Sequence, residues 1–287
     1  MLACLDSAEM AESRRQELGI PRSVAVHLGR SAVEAANRGY YLYRGHHRVE
    51  WGGMVRAARS AKVSIPPSAP LPARPLGPFA ETRIQVANET TLAASRRLTD
   101  AGLKPLALNF ANGVQPGGGF LGGARAQEEA LCRSSALYAT LVGDQMYEDH
   151  RQRSRPDSTD WAIYSPDVPV FRTDGGEELR EPWLLSFVSC AAPVADAIGQ
   201  PEAGDLLRRR MHRVLAIAQA YGYAALVLGA WGCGAFSNDP CRAAADYREA
   251  LESDFSGSFS DVVFAITDWS PERRVLGPFR DAFARGS

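Results

Sequence analysis

Two adjacent carboxylates, Glu128 and Glu129, stand directly behind a glycine-dense stretch, PGGGFLGGARAQEEALCRSS, which runs from Pro116 to Ser135. Neighbouring residues of a helix point about 100° apart, so the two carboxylates divide their work. If one reaches a bond to be cleaved, the other orients a neighbouring hydroxyl or the backbone. Acidic residues in a first helical turn are also stabilising by roughly 0.3–1 kcal/mol, and that role needs no chemistry. The helix dipole holds a carboxylate in its charged form, whereas burial and a negatively charged ligand favour the protonated one.

The glycines bring a backbone close to whatever the loop holds. Gly117, Gly119 and Gly122 match G-x-G-x-x-G. However, ANGVQP separates them from the preceding strand, and the acidic residue some twenty positions on is Asp144, placed after a helix. A dinucleotide fingerprint needs its glycines immediately after the strand. What holds is more general. Successive backbone N–H groups in such turns, with helix N-termini behind them, attract anions. A second loop, GAWGCGAFSND, contains Gly232, Cys233, Gly234, Ala235 and Phe236. Two loops of this kind suit a diphosphate, and neither carries a P-loop lysine.

Asn109 and Asn112 precede the first loop. A buried asparagine satisfies sugar hydroxyls as donor and acceptor, and Asn112 before Gly113 is equally a turn former. Phe236 is placed to stack on a ribose or base, or to pack into the core. Cys233 lies between two glycines without an obvious histidine partner. No H-E-x-x-H or G-x-S-x-G pattern exists, so zinc and serine-triad hydrolysis have no visible basis. No metal and no cofactor are expected.

Elements must position these groups. Before residue 80, helices are predicted over Glu9–Leu18 and up to Gly39, with a hairpin of YYLYR and HHRVEW around Gly45. The first half-dozen residues are expected to fray. Ser64 to Phe79 has five prolines in its first twelve residues and reads as an irregular linker. From residue 80, apolar strands alternate with helices: TRIQVA, a helix capped by Asn88 and stopped by Gly102, KPLALNFAN, a helix from Gln127 to Val142, WAIYSPDVPVF, WLLSFVSCA, a helix from Ala203 to Tyr221, AALVLGAWG, a helix from Pro240 to Ser253, FSDVVFAITD and a closing helix over Glu272–Ala284. That alternation predicts an α/β fold with helices on both faces of the sheet. Both glycine loops follow the carboxyl end of a strand, where open α/β sheets bind ligands.

A formal net charge of −1 supplies no basic face for nucleic acid. The five cysteines are odd in number and contain no C-x-x-C pair, which points to reduced thiols in a cytoplasm. No 18-residue apolar run predicts a membrane span, and MLACLDSAEMAESRRQELG lacks the apolar stretch of a secretory peptide.

Taken together, the strand, the Asn-bearing turn, Gly117–Gly119, the seven-residue spacer FLGGARA and Gln127, Glu128, Glu129 resemble the signature of poly(ADP-ribose) glycohydrolases. LNFANGVQPGGGF, AQEEALCRSSALY, ETTLAA and GAWGCGAFSND are similar to the shorter bacterial type. The resemblance spans roughly residues 80 to 270. It implies a macrodomain-like three-layer fold: a mixed sheet between helices over residues 80–287, with residues 1–79 as an N-terminal helical extension and Pro-rich linker. It implies that Glu129 is the catalytic acid/base, that Glu128 and Asn112 hold the terminal ribose, and that Gln127 belongs to the substrate site. The loops Gly117–Gly119 and Gly232–Phe236 would embrace the diphosphate. Adenine would lie near Asn88 and Glu89 or the loop after Ile266. A cover over the far ribose is expected from residues 144 to 182. Expected partners are ADP-ribose, its polymer and poly(ADP-ribosyl)ated proteins. Neither membrane nor direct nucleic-acid binding is expected, and the acting unit is expected to be a monomer. A non-catalytic ADP-ribose reader and a hydrolase of mono-ADP-ribosyl groups stay open as alternatives.

Overall fold

A computed structural model of the chain describes residues 2–72 and 79–284. The chain opens with α1 (Ala8–Leu18) and α2 (Arg22–Arg38), followed by a hairpin of β1 (Tyr40–Tyr43) and β2 (His47–Glu50), then α3 (Gly52–Ala61) and β3 (Val63–Ile65). The alternating part comprises β4 (Arg83–Ala87), α4 (Thr91–Asp100), β5 (Pro105–Ala111), α5 (Gln127–Ser134), α6 (Leu137–Leu141) and α7 (Gln145–Arg151). It continues through β6 (Ala162–Arg172), β7 (Glu178–Ala191), α8 (Ala195–Ile198), α9 (Glu202–Ala220), β8 (Ala225–Leu228), α10 (Pro240–Glu252), β9 (Asp261–Ala265) and α11 (Leu276–Ala282).

Seven strands form one mixed sheet in the order β3-β6-β7-β5-β8-β9-β4. From β7 to β4 every neighbour is parallel, and β6 and β3 extend the sheet antiparallel at one edge. Parallel strands need cover on both faces, and alternate side chains provide it. Leu226 and Leu228 of β8 face one core with Leu106, Leu108, Met211, Val214 and Tyr247. Ala225 and Val227 face the other, with Ala107, Leu92, Leu98, Leu131 and Phe187. The predicted three-layer α/β arrangement with a mixed sheet is the one observed.

The N-terminal part is more deeply integrated than its composition suggests. Although Ser64 opens the proline-rich stretch, Val63–Ile65 pairs with Tyr164–Ala162 as the sheet's edge strand. The β3–β6 pairing therefore crosses the boundary drawn at residue 79. Residues 73–78 of the expected linker lie outside the described residues. The first residues are not frayed: Leu2 and Leu5 donate to Ile84 and Val86 carbonyls at 2.9 Å each and cover the exposed edge of β4. Trp51 is buried between Tyr41 and Phe171, its ring centroid 4.5 Å from that of Phe171, and its Nε1 donates to Ala35 O at 3.0 Å.

Four further expectations need correction. The helix from Gln127 to Val142 is two helices, because Ser135 is extended and Ala136 donates to Pro169 O of β6. Thr90 caps α4, accepting from Ala93 N, whereas Asn88 bridges to Asp6 and Asp268. The closing helix begins at Leu276, because Asp268 Oδ2 accepts from Val275 and Leu276 N–H and holds the preceding loop. Residues 144 to 182 form α7, β6 and the start of β7, built into the sheet rather than into a cover.

If the N-terminal part is integral to the fold, Trp51→Ala destabilises the whole chain by roughly 3–5 kcal/mol. Urea unfolding followed by far-UV circular dichroism should show a single, earlier transition. An unchanged midpoint would mean that this segment packs without supporting the sheet.

Candidate active site

A cavity of about 450 Å³ opens at the carboxyl ends of β4, β5, β8 and β9. Its walls include Thr90, Asn112, Glu129, Phe236 and Trp269, one or more from each loop that follows these four strands. Parallel strands place those loops side by side, so groups far apart in sequence meet at one sheet edge.

Both glutamates are buried in the first turn of α5 and line this cavity. Gln127 sets where that turn begins. Its Oε1 accepts from Phe110 N at 2.9 Å, and its Nε2 donates to Leu108 O at 2.7 Å and to Thr91 Oγ1 at 3.1 Å. Every polar atom of this side chain is thus committed to β5 and α4. Gln127 holds the helix in place while lining the cavity.

Glu128 is pinned at both oxygens: Asn109 Nδ2 donates to Oε1 at 3.2 Å and Asn112 N to Oε2 at 2.7 Å. Burial pushes its carboxyl up to about 8; the amides of Asn112 and Asn109 pull it down, and the neighbouring Glu129 pushes it up. Glu129 is held at one oxygen only. Gly119 N donates to its Oε1 at 2.9 Å, while Oε2 is buried with no hydrogen-bond partner among the described residues. Arg133, about one turn further along the same helix, is also buried and donates to Ala124 O at 2.8 Å, securing the loop that precedes the glutamates.

The first glycine loop serves the glutamates. Gly117 and Gly118 have φ of +71° and +56°, a region that disfavours side chains. A Cβ at Gly118 would collide with Glu129 Oε1 and sit 3.1 Å from Glu128 Oε2. Gly117–Gly119 are not among the residues lining the cavity. They form the backing of the two carboxylates.

The second loop meets the cavity directly through Gly232, Gly234, Ala235 and Phe236. Among the described residues, no acceptor is found for the amide N–H groups of these four. Such a row of unpaired amides is an anion-binding arrangement. Asn238 fixes the loop by donating to Pro193 O, Gly232 O and Phe236 O. Cys233 turns away from the cavity, packs on the core and donates to Trp231 O; burial pushes its thiol up to about 12. It is unsuited to be a nucleophile.

Asn112 Oδ1 accepts from Val114 and Gln115 N–H at 2.9 Å each, so the side chain is the turn former, with Nδ2 left for other partners. Asn88 is fully buried and unavailable, and Glu89 lines the cavity while paired with Arg97. Of the loop after Ile266, Thr267 and Trp269 line the cavity, and Trp269 is 48% exposed. Sequence reasoning missed Asp174 and Leu18. Asp174 is buried, accepts from Thr90 Oγ1 at 2.6 Å and is pushed up to about 6 by burial. It is the one lining residue from the stretch 144–182. Neither residue has a local signal; β6–β7 and α1 bring them in from elsewhere. Among the described residues, no cluster of three or more His, Cys, Asp or Glu is arranged to hold a metal ion, and no helix is long and apolar enough to cross a membrane.

The proton on Glu128 links folding to pH. Unfolded, this carboxyl titrates near its ordinary 4.5, and folded near 8. Below the lower value both states are protonated and there is no penalty. Above the upper value the folded state buries a charge and the penalty is complete. Stability therefore falls between these values, by on the order of a few kcal/mol. Glu128→Gln stays neutral and should flatten that part of a Tm-against-pH curve, whatever constant offset the amide adds. Parallel curves for the two proteins would show that Glu128 is charged throughout.

The catalytic-domain model of microbial-type PARG matches residues 29–173. A poly(ADP-ribose) glycohydrolase from Thermomonospora curvata is similar to this chain, with 41% identity and a TM-score of 0.86 over 91% of this chain and 100% of that one. Its structure bound to the inhibitor ADP-HPD gives 41% identity and a TM-score of 0.84 over the same shares. The enzyme from Deinococcus radiodurans in complex with ADP-ribose is 37% identical, with a TM-score of 0.74 over 82% of this chain and 98% of that one. No curated protein sequence matches. With half the chain under the family model and nearly all of it superimposing on members at such identity, this chain belongs to the microbial-type poly(ADP-ribose) glycohydrolase family.

Proposed function

We propose that this protein hydrolyses the ribose–ribose O-glycosidic bonds of poly(ADP-ribose) and releases ADP-ribose, with Glu129 as general acid and then general base. The observation that carries this reading is the asymmetry of Glu129. One oxygen is fixed by Gly119 N–H, and the other is unpartnered in a carboxylate that lines the cavity. A binding module has no need for such an atom. Family membership supports the same reading, since the similar solved proteins are named for this activity and two of those structures hold ADP-ribose or the inhibitor ADP-HPD.

The terminal unit enters with its diphosphate against the amides of Gly232, Gly234, Ala235 and Phe236. Phe236 packs beside the terminal ribose, whose hydroxyls meet Glu128 and Asn112 Nδ2. Trp269 is an exposed aromatic of the cavity lining and stacks on adenine. Glu129 gives its proton to the departing ribose oxygen as the C–O bond breaks, and the ribose passes through an oxocarbenium-like state. The resulting carboxylate takes a proton from the water that attacks the anomeric carbon, which restores the acid. Glu128 holds its proton up to about 8 through burial, and the diphosphate adds negative charge that favours this protonated form. On this reading the substrates are poly(ADP-ribosyl)ated proteins, the setting is cytoplasmic and tied to DNA damage, and the acting unit is a monomer.

Glu129→Gln keeps the shape and removes the proton relay, so kcat for release of ADP-ribose from polymer should fall about 10²–10⁴-fold, with ADP-ribose affinity by calorimetry nearly unchanged. Near-normal turnover would remove Glu129 from the mechanism. Tight ADP-ribose binding with no release by the wild type would make the protein a reader; release from mono-ADP-ribosylated protein alone would change the substrate. Separately, Trp269→Ala should raise the Kd for ADP-ribose about tenfold or more, as expected for loss of base stacking worth roughly 1–3 kcal/mol. An unaltered Kd would place adenine elsewhere.

A further inference from the structure

Behind the first glycine loop lies a second, more open recess of about 640 Å³, lined by Arg22, Gly119, Gly122, Gly123, Arg125 and neighbouring alanines. It adjoins the cavity described above, because Arg125 and Ala126 line both. Its wall begins at Gly119, whose N–H holds Glu129 Oε1.

Two features mark this recess. First, it has two guanidinium groups without a carboxylate. Most arginines of the chain are in ion pairs, yet neither Arg22 nor Arg125 has an acidic partner among the described residues. Each is steadied by one bond to a carbonyl: Arg22 Nε donates to Gly122 O at 2.9 Å and Arg125 Nη1 to Ile20 O at 2.8 Å. The remaining N–H groups are exposed and already oriented, as suits a phosphate. Second, the floor is bare backbone. A Cβ placed at Gly122 would meet no atom within 4 Å, so the glycine leaves space rather than filling a packing need.

We infer that this recess holds the diphosphate of the neighbouring polymer unit, the one whose ribose oxygen leaves when the terminal unit is cut off. The inference rests on Glu129 as the acid. The leaving oxygen must reach Glu129 from outside the cavity, and the unit attached to it carries two negative charges. A recess that starts one peptide from that carboxylate and bears two unpaired cations is the matching surface. It confers a preference for polymer over single ADP-ribosyl groups without any contact to a base.

The test compares binding of a defined ADP-ribose dimer, two units joined ribose to ribose, with binding of ADP-ribose. Both are measured on full-length Glu129→Gln protein, alone and with Arg22→Gln or Gly122→Leu added. The dimer is expected to bind about tenfold more tightly than ADP-ribose, with an advantage that shrinks as salt rises. Arg22→Gln should remove most of that advantage by charge, and Gly122→Leu by obstruction. Equal affinity of dimer and ADP-ribose for the parent would overturn the proposal. So would variants that weaken both ligands alike, since Arg22 would then only support the loop. Failure of the Glu129 reading appears differently: wild type would release nothing from polymer while the recess-dependent dimer preference persisted.

Discussion

Two carboxylates buried side by side at the start of one helix are the constraint around which this structure is arranged. Left in an apolar site, such a pair would be expelled or would disrupt the fold. Here Glu128 takes N–H donors at both oxygens from Asn109 and Asn112, and Glu129 takes one from Gly119. The donors come from β5 and from the loop after it, so strand, loop and helix must keep a fixed relation. Gln127 enforces that relation with bonds to β5 and α4, and the glycine at 118 leaves room for the carboxylates where a Cβ would collide with Glu129.

The sheet turns this local arrangement into a site. Because β4, β9, β8 and β5 run parallel, their following loops converge at one edge, and each brings a different chemistry. The helix after β5 supplies the carboxylates, the loop after β8 supplies amides without an acceptor among the described residues, and the loop after β9 supplies an exposed tryptophan. The N-terminal part completes the surroundings: Leu18 at the end of α1 reaches the cavity, and Ile20 steadies Arg125.

Several elements were legible because their physics is local. The apolar runs of β5, β8 and β9, the glycine stops of helices and the carboxylate pair behind a glycine loop all depend on short-range pattern. Other elements depended on distant partners. A proline-rich composition concealed Val63–Ile65 as a strand, because the pairing that makes it one is supplied by β6. Apolar periodicity across Gln127–Val142 hid a break that exists only because Ala136 bonds to β6. Asn88 has the character of a cap, yet Asp6 and Asp268 claim its side chain first.

By itself, the sequence determined the fold class, the edge of the sheet where the cavity opens and the family, since these follow from residue order and from a motif of tightly spaced residues. Tertiary structure decided how the motif is used. Only in three dimensions does the triple glycine stand behind the carboxylates, Gln127 become a brace, Cys233 turn into the core, and Trp269 and Asp174 join the cavity wall. The reason is physical: spacing along a chain states which groups are available, but burial and hydrogen-bond partners drawn from other elements decide which atoms stay free to act.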